Sequence, residues 1–266
     1  MQVVRPKLDE QIKEQLEGNE AGWRIYEHII SSQAFIAGCE MANSVAVNRL
    51  GYNDHGYTHV RIAAANALNI FNILRRRKVA PTFAREKHGT SLDSQVIVMM
   101  GALFHDLGNA IQRENHQEHG VLLADRIMDG ILPEFYSGPK MHKVRLAVLG
   151  CVYEHDESVI ATSLEAGIVK VADGTDCENG RARAPYRMYG KHDIHAVSAL
   201  AIKNVLISEG KEMPVRIAVD MTNPSGLFQV TEVLGKKIET SGIEDLVEVV
   251  PLINGKQFKD TDMTKL

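Results

Sequence analysis

Four histidines and two aspartates are the residues of this chain whose types and positions suggest metal chemistry. They are His59, His105, Asp106, His116, His155 and Asp173. Imidazole and carboxylate groups together suit Mn, Fe, Ni or Zn better than calcium. The set is large enough to hold two divalent ions, with Asp106 shared between them. Two ions held in this way would generate a hydroxide from water and direct it at a phosphate ester.

Residues 96–109, with the sequence VIVMMGALFHDLGN, carry the strongest of these signals. The segment up to Phe104 is apolar on every side of a helix, which predicts a buried helix. His105 and Asp106 follow at its end, where an ionisable side chain needs a partner if it is buried. A metal ion would pair with both groups. A simple histidine–aspartate hydrogen bond would explain the dipeptide equally well, so the other candidate ligands decide between the two interpretations.

Three further positions place a histidine or an aspartate on the inner side of a predicted helix. His59 begins a mostly apolar stripe at helical spacing that continues to residue 73. His155 follows a second apolar helix over residues 144–153, which repeats the design around His105. Asp173 lies on the apolar face of a later helix. Because a buried aspartate without a partner is rare, this position also indicates a ligand.

The segment after the central helix offers a choice between two histidines. His116 and Gly120 are four residues apart and therefore share one helix face. The missing side chain of the glycine would leave room for something bulky beside His116. His119 is three residues further on and could face the same cavity. Taken alone, either histidine is more often a surface residue than a ligand.

Charged residues around the last helix of this region are candidates for contacts with substrate. Lys170 lies on that helix, and the basic segment with Arg181 and Arg183 follows it. Guanidinium groups match phosphate oxygens, although a solvated loop is the alternative interpretation of this segment. We expect these three residues to add positive charge beside a phosphoryl group. His119 and Asp176 are candidates to protonate the leaving group or to orient the water.

The bulk composition is that of an ordinary globular chain. Its 266 residues are 44% hydrophobic and 24% charged. The formal net charge of −4 argues against broad electrostatic binding of nucleic acid. The 3 cysteines show no CxxC spacing, which favours a reducing compartment. Since the sequence has no apolar signal core and no run long enough to cross a membrane, we expect a cytoplasmic protein without a membrane partner.

The elements that position these residues are predicted to be helices. Residues 1–210 are expected to form one helical domain that carries the metal site. Thr162 and Glu165 match a capping box at the start of the helix that bears the last aspartate. Residues 192–206 are predicted to form one more amphipathic helix. The fold class is therefore mainly α.

The pattern changes in the C-terminal part of the chain. Residues 215–221 alternate in polarity, residues 230–240 are helix-like, and residues 246–253 are predicted to form a second strand. This β-α-β unit defines a small α+β appendage over residues 211–266. Because two strands rarely form a stable sheet alone, the appendage is expected to add strands or to pack on a partner. We favour a role in forming a dimer or another homo-oligomer.

The order of the candidate ligands resembles the HD-domain superfamily of metal-dependent phosphohydrolases. A single histidine is followed by His-Asp, two further histidines and a final aspartate, and the resemblance runs from about residue 55 to residue 187. Residues 105–120, HDLGNAIQRENHQEHG, look like the HD domain of the endoribonuclease Y type. Residues 169–183, VKVADGTDCENGRAR, are similar to the later aspartate segment of that group.

This resemblance implies an HD-domain helical bundle and hydrolysis of a nucleotide, a cyclic nucleotide or another small phosphoester. It selects His116 over His119 as the ligand, because the family histidine precedes its glycine by four residues. Where dinuclear members of the family carry a His-His pair, this chain has Glu154 and His155. The sequence shows neither the RNA-binding domain nor the membrane anchor of endoribonuclease Y, so RNA cleavage is not expected.

Two other functions fit the same ligand set. One is a dinuclear iron oxygenase of the myo-inositol oxygenase kind, which uses the same fold. The other is a non-catalytic ligand-binding module that keeps the fold without the reaction. The complete ligand set favours the hydrolase, since a binding module has no need to retain every ligand.

Overall fold

The computed structural model describes residues 4–178 and 194–258. Helices form the larger, N-terminal part, and a four-stranded sheet with its own helices follows. The predicted fold class, mainly α with a small C-terminal β-α-β appendage, is confirmed. In the part of the chain that the structure describes, no helix has the length and apolar character that crossing a bilayer requires. The division of the chain at residue 210 stays a prediction.

The α-helices of the described ranges are numbered in chain order. They are α1 (Val4–Gln15), α2 (Glu20–Ser31), α3 (Gln33–Asn43), α4 (Tyr57–Arg76), α5 (Thr82–Arg85), α6 (Ser91–Phe104), α7 (His116–Met128), α8 (Gly138–Glu154), α9 (Leu164–Thr175), α10 (Ile194–Ala201) and α11 (Lys236–Glu239). Two π-helical segments, Ser44–Arg49 and Gln229–Gly235, and a short 3-10 turn, Leu107–Ala110, adjoin them.

Helix α6 is the centre of the helical part. Every residue from Asp93 to Phe104 is buried, and helices α4, α8 and α9 pack around it. A capping box starts the helix: the Thr90 hydroxyl accepts the N–H of Asp93, and the Asp93 carboxylate accepts the N–H of Thr90. Because this helix is apolar on all sides, its surface is removed from water only when other helices pack against every side of it. The predicted buried helix is therefore confirmed.

The start of α9 differs from the prediction. Ser163 is the N-cap, and its hydroxyl accepts the N–H of Ala166 at 3.1 Å. The capping box predicted at Thr162 and Glu165 is therefore wrong. The carboxylate of Glu165 instead accepts the first two N–H groups of α5, at 3.2 and 3.0 Å. A short-range motif is overridden here because another helix end offers the carboxylate two unsatisfied donors.

The C-terminal sheet has the strand order β1-β2-β3-β4. Its strands are β1 (Ile202–Glu209), β2 (Val215–Met221), β3 (Val247–Ile253) and β4 (Lys256–Gln257). Strands β2 and β3 are parallel, and the other two neighbouring pairs are antiparallel. The π-helical segment Gln229–Gly235 and α11 form the crossover between the parallel strands. This confirms the predicted β-α-β unit.

Strand β1 was not predicted. Residues 192–206 were expected to be helical, whereas α10 ends at Ala201 and β1 begins at Ile202. The segment pairs with β2 from Ile202 to Glu209, with one irregularity at Lys203, and buries Ile202 and Ile207 there. Pairing with a buried neighbour outweighs the weak local pattern. This strand and β4 supply the additional strands that the predicted unit lacked.

Candidate metal centre

The six residues predicted to be ligands lie together in one buried cluster. They come from α4, from the turn after α6, from the first residue of α7, from the residue after α8, and from α9. All six are buried. Several polar groups gathered in an interior of this kind require a compensating partner, since buried imidazole and carboxylate groups lose their hydration.

One half of the cluster joins two histidines and two aspartates. The Nε2 atom of His59 lies 3.2 Å from Nε2 of His105, 3.2 Å from Oδ2 of Asp106 and 3.1 Å from Oδ1 of Asp173. The Nε2 atom of His105 lies 3.4 and 3.5 Å from the same two carboxylate oxygens. These four groups therefore face one common point.

The other half contains the two remaining histidines. The Nε2 atoms of His116 and His155 are 3.0 Å apart, and Nε2 of His116 is 3.7 Å from Oδ1 of Asp106. The ring centroids of His105 and His155 are 4.8 Å apart, which links the two halves. Asp106 thus turns one oxygen towards each half.

Hydrogen bonds on the far side of three imidazoles fix the direction in which their Nε2 atoms point. His105 and His155 each donate from Nδ1 to the backbone carbonyl three residues earlier, at 2.8 and 2.6 Å. The Nδ1 atom of His59 lies 2.7 Å from Oδ2 of Asp176. An imidazole that donates from Nδ1 offers its Nε2 lone pair to a metal, and such outer partners are typical of metal-binding histidines.

The short distance between His59 and His105 requires a cation. Both rings carry their proton on Nδ1, so both Nε2 atoms would present lone pairs to each other at 3.2 Å. A proton or a metal ion must lie between them, because two acceptors at this distance repel each other. In the absence of a metal, Asp106 and Asp173 outweigh the effect of burial and raise the pKa of His105 to about 9. The donor set therefore fits a divalent ion, which would replace this proton.

The other ionisable groups are poised for ligation. Burial, reinforced by the positive charge of Arg113, lowers the pKa of His116 to about 4. Burial and the charge of His105 also lower the pKa of His155. Burial opposes ionisation of Asp106, but the nearby His55 and His105 hold the pKa of this carboxyl well below its usual range. His116 and His155 are thus held as neutral imidazoles and Asp106 as an ionised carboxylate, the forms that bind metals, while His105 would release its proton on binding an ion.

Close packing of a glycine brings the His-Asp turn against α7. A Cβ atom at Gly108 would collide with the carbonyl oxygen of His116 and would lie 2.5 Å from the backbone nitrogen of Gly120. Only glycine permits this approach. At Gly120 a Cβ atom would meet Val152 at 3.1 Å. The space predicted beside His116 is therefore filled by the protein itself.

His55 belongs to the cluster although the sequence analysis passed over it. Its Nδ1 atom lies 2.7 Å from Oδ2 of Asp106. With His59 and Asp106 it forms one of three groups of potential ligand atoms in the described residues that lie within 4.8 Å of one another. The residue stands in a loop before α4, where no periodicity marks it. Its position four residues before His59 was the one available signal.

Lys237 is the second residue that the sequence analysis missed. It is 8% exposed, and its ammonium lies 2.9 Å from Oδ2 of Asp173. It also donates to the carbonyl of His155 at 3.1 Å and lies 3.5 Å from Glu157. Burial lowers the pKa of this lysine, but the attraction of Asp173 and Glu157 outweighs burial and raises it. The C-terminal appendage therefore places a charged group directly beside a candidate ligand.

Arg113 provides a cation at the more accessible edge of the cluster. Its side chain is 34% exposed, and its Nη1 atom lies 4.0 Å from Oδ1 of Asp106. The same nitrogen donates to Asn109 at 3.1 Å, and Asn109 in turn donates to Oδ1 of Asp106 at 2.7 Å. This chain of contacts holds the guanidinium near the shared carboxylate.

The remaining predicted site residues lie in different surroundings. Lys170 is fully buried, and its ammonium donates to the carbonyl oxygen of Val159 and to both oxygens of Thr240. Its donors are thus used within the protein, which does not leave them for a substrate. His119 is half-buried, and its Nδ1 atom finds no hydrogen-bond partner among the residues that the structure describes.

Two predicted substrate contacts are not part of the described structure. Arg181 and Arg183 lie outside the described residues.

The proposed proton-transfer residue Asp176 contacts His59 from the side opposite the cluster. This position favours orientation of the imidazole over direct contact with a substrate.

Comparison with known proteins agrees with the geometry. The family model of the HD domain matches residues 56–177, which include the six clustered candidate ligands and Asp176 but neither His55 nor Lys237. The uncharacterized protein MJ1020 of Methanocaldococcus jannaschii is 42% identical over 225 residues, which is 85% of this chain and 86% of that protein. No solved structure matches the chain significantly. The family match and its ligand cluster together identify the chain as a member of the HD-domain family.

Proposed function

We propose that this protein hydrolyses a phosphate ester at a centre of two divalent transition-metal ions. The observation that carries the proposal is the position of Asp106. Its Oδ2 atom lies 3.2 and 3.4 Å from the Nε2 atoms of His59 and His105, and its Oδ1 atom faces His116 at 3.7 Å. A carboxylate with one oxygen towards each of two groups of candidate ligands is suited to bridge a pair of ions.

The ligands of the two ions follow from these two groups. His59, His105 and Asp173 would share one ion with Asp106. His116 and His155 would share the second ion with the other oxygen of the same carboxylate. His55, whose Nδ1 atom lies 2.7 Å from Asp106, is a further candidate ligand. Mn, Fe, Ni and Zn all accept this mixture of donors.

Bound ions would supply a water of lowered pKa and would polarise a phosphoryl oxygen. The residues of the chain would orient the metal ligands, bind the phosphoryl group and protonate the leaving group. Asp176 keeps His59 in the tautomer that binds metal. Arg113 presents a partly exposed guanidinium near Asp106, where it would donate to a phosphoryl oxygen. Arg181 and Arg183 remain candidates for the same task, and His119 remains a candidate to protonate the leaving group.

The substrate class of the proposal is a small phosphoester, such as a nucleotide or a cyclic nucleotide. Assembly into a homo-oligomer through the C-terminal sheet, a cytoplasmic location and a preference for small substrates over nucleic acid remain predictions from the sequence. The residues that would discriminate among small phosphoesters include the arginine segment outside the described structure.

The test is a panel of phosphomonoesters and phosphodiesters assayed with the metal-free protein and after addition of each of Mn, Fe, Ni and Zn. We expect metal-dependent release of phosphate or of the product alcohol, which a chelator abolishes. The variant Asp106→Asn should be inactive under every condition. Parallel reactions without oxygen provide the control. Turnover that requires oxygen and iron would overturn the hydrolase in favour of an oxygenase, and absence of turnover with loaded protein would overturn it in favour of a binding module.

A further inference from the structure

The C-terminal appendage reaches the metal cluster through Lys237. This side chain crosses from α11 to the ends of two ligand-bearing helices. It contacts Oδ2 of Asp173 at 2.9 Å and the backbone carbonyl of His155 at 3.1 Å. Its ammonium thus contacts one residue from each half of the cluster, Asp173 from the first half and His155 from the second.

One face of α9 is shaped to receive this part of the appendage. Gly167, Lys170 and Gly174 lie three and four residues apart, so they share a face of the helix. A Cβ atom at Gly174 would lie 3.2 Å from both Leu234 and the stem of Lys237, and a Cβ atom at Gly167 would collide with the backbone of the residue after Thr240. The glycines therefore let the crossover helix lie directly on α9.

Lys170 fastens the same contact. Its buried ammonium donates to the carbonyl oxygen of Thr240 and to its hydroxyl oxygen, both at 3.0 Å. Thr240 directly follows α11, three residues after Lys237. The lysine predicted to touch the substrate thus holds the helix that carries the lysine beside the cluster.

The contact of Lys237 determines which oxygen of Asp173 faces the candidate metal position. The ammonium holds Oδ2, while Oδ1 lies 3.1 Å from Nε2 of His59 and 3.5 Å from Nε2 of His105. A carboxylate that is held at one oxygen offers the other oxygen to a metal in a fixed direction. Partners of this kind tune metal affinity because they orient the ligand.

We propose that Lys237 is a positioning residue for the metal ligand Asp173, and that the appendage therefore completes the metal centre within the same chain. This inference rests on the metal centre of the proposed function but not on the reaction. Lys237 acts on the carboxylate and on the backbone of His155, so its loss is expected to weaken metal binding before it affects contacts with a substrate.

The test is to measure the affinity for Mn or Zn by competition with a chromogenic chelator. We expect Lys237→Met to bind metal about 10- to 100-fold more weakly than the unaltered protein. Lys237→Arg, which keeps the charge, should recover part of this loss. The matched control is Lys236→Met, because Lys236 is the adjacent residue but is exposed and pairs with Glu232 at 2.8 Å. This control should bind metal with unchanged affinity.

Two measurements keep the inference separate from loss of folding. Circular dichroism and melting of the metal-free variants report whether they fold. If Lys237→Met does not fold, Lys237→Gln keeps two N–H donors without the charge and permits the same comparison. The inference is supported if whichever folded variant removes the charge binds metal more weakly than Lys236→Met.

The outcomes distinguish this inference from the proposed function. Unchanged metal affinity of folded Lys237→Met would overturn the inference and leave the hydrolase intact. A raised KM with unchanged metal affinity would also overturn it, because that pattern indicates a contact with substrate. Weakened metal binding in a protein that hydrolyses no phosphoester would support the inference while overturning the reaction. Failure of the unaltered protein to bind any metal would overturn both.

Discussion

Replacement of Asp106 by asparagine should remove both metal ions at once. The substitution keeps the size of the side chain but replaces one carboxylate oxygen with an NH2 group. Each oxygen of Asp106 serves a different half of the cluster, since Oδ2 faces His59 and His105 while Oδ1 faces His116. An amide has no anionic oxygen: one half of the cluster would face a neutral carbonyl oxygen and the other half an NH2 group. Both ions therefore lose their carboxylate ligand at this position.

The size of the effect follows from linkage between binding and folding. An ion at 100 times its Kd stabilises the folded state by about 2.7 kcal/mol per site, so two sites contribute roughly 5 kcal/mol. For a chain of this size, each 1 kcal/mol shifts the melting temperature by about 2–4 °C. We therefore expect metal to raise the melting temperature of the unaltered protein by roughly 10–20 °C. In Asp106→Asn the rise should be less than about 3 °C.

The assay is a thermal melt with and without added Mn or Zn after treatment with a chelator. The matched control is Asp125→Asn. This carboxylate is not part of the cluster, and its Oδ1 atom pairs with Nη1 of Arg145 at 2.8 Å. This control should show the full metal-dependent rise. The reasoning is refuted if Asp106→Asn keeps the same rise as the control, because the shared carboxylate would then not be needed by either ion.

Three further predictions concern the surroundings of the ligands. Asp176→Asn weakens the 2.7 Å hydrogen bond that orients the imidazole of His59, so metal affinity measured by chelator competition should fall about 10- to 100-fold. Unchanged affinity would contradict this role of Asp176. The metal-free protein should lose about 1 kcal/mol of stability between pH 7 and pH 8, because the raised pKa of His105 stabilises the fold below the unfolded value of 6.5 and this contribution is lost as the pH rises towards about 9. The window begins above pH 6.5 because the lowered pKa values of His116 and His155 act in the opposite direction below it. The window ends near pH 8 because the pKa of Lys170 is lowered to about 8, and loss of its proton above that pH increases stability. The measurement is urea unfolding across this pH range, and saturating metal should abolish the loss of stability. Gly108→Ala should destabilise the protein by about 3 kcal/mol or more in the same experiment and weaken metal binding, since its Cβ would collide with the first turn of α7; a variant as stable as the unaltered protein would show that the turn can move away freely.

The clustering of candidate ligands at helix ends was the part of the site that the sequence could predict. His105 and His155 follow helices whose apolar character can be recognised from residue types alone. The structure places His105 directly after a buried helix, whereas α8, which precedes His155, buries only one face and leaves Leu146 exposed. His59 and Asp173 lie on apolar faces with helical periodicity. In each case, a polar residue appears where the surrounding pattern requires burial, and this local conflict is visible without a structure.

The residues that the sequence analysis missed lack such a conflict. His55 stands in a loop, where a histidine is not unusual. Lys237 follows another lysine on a short helix, and two adjacent lysines normally indicate a solvated surface. Only the long-range packing of α11 on α9 buries one of them and leaves Lys236 exposed. Contacts between residues 64 positions apart, such as Lys237 with Asp173, have no local signature in a single sequence.

Local patterns also failed where tertiary contacts chose between alternatives. Residues 202–206 were compatible with a helix, but pairing with β2 makes them a strand. Glu165 matched a capping motif, but α5 offers its carboxylate two N–H groups from a distant part of the chain. Both errors concern short segments whose neighbours in space, rather than in sequence, determine the structure.

The metal content of the unaltered protein tests the central claim most directly. The protein is purified without chelators, and transition metals per chain are counted by mass spectrometry before and after incubation with Mn or Fe. The shared position of Asp106 predicts about two ions per chain. A protein that holds no transition metal under either condition would contradict the metal centre and the hydrolase proposed from it.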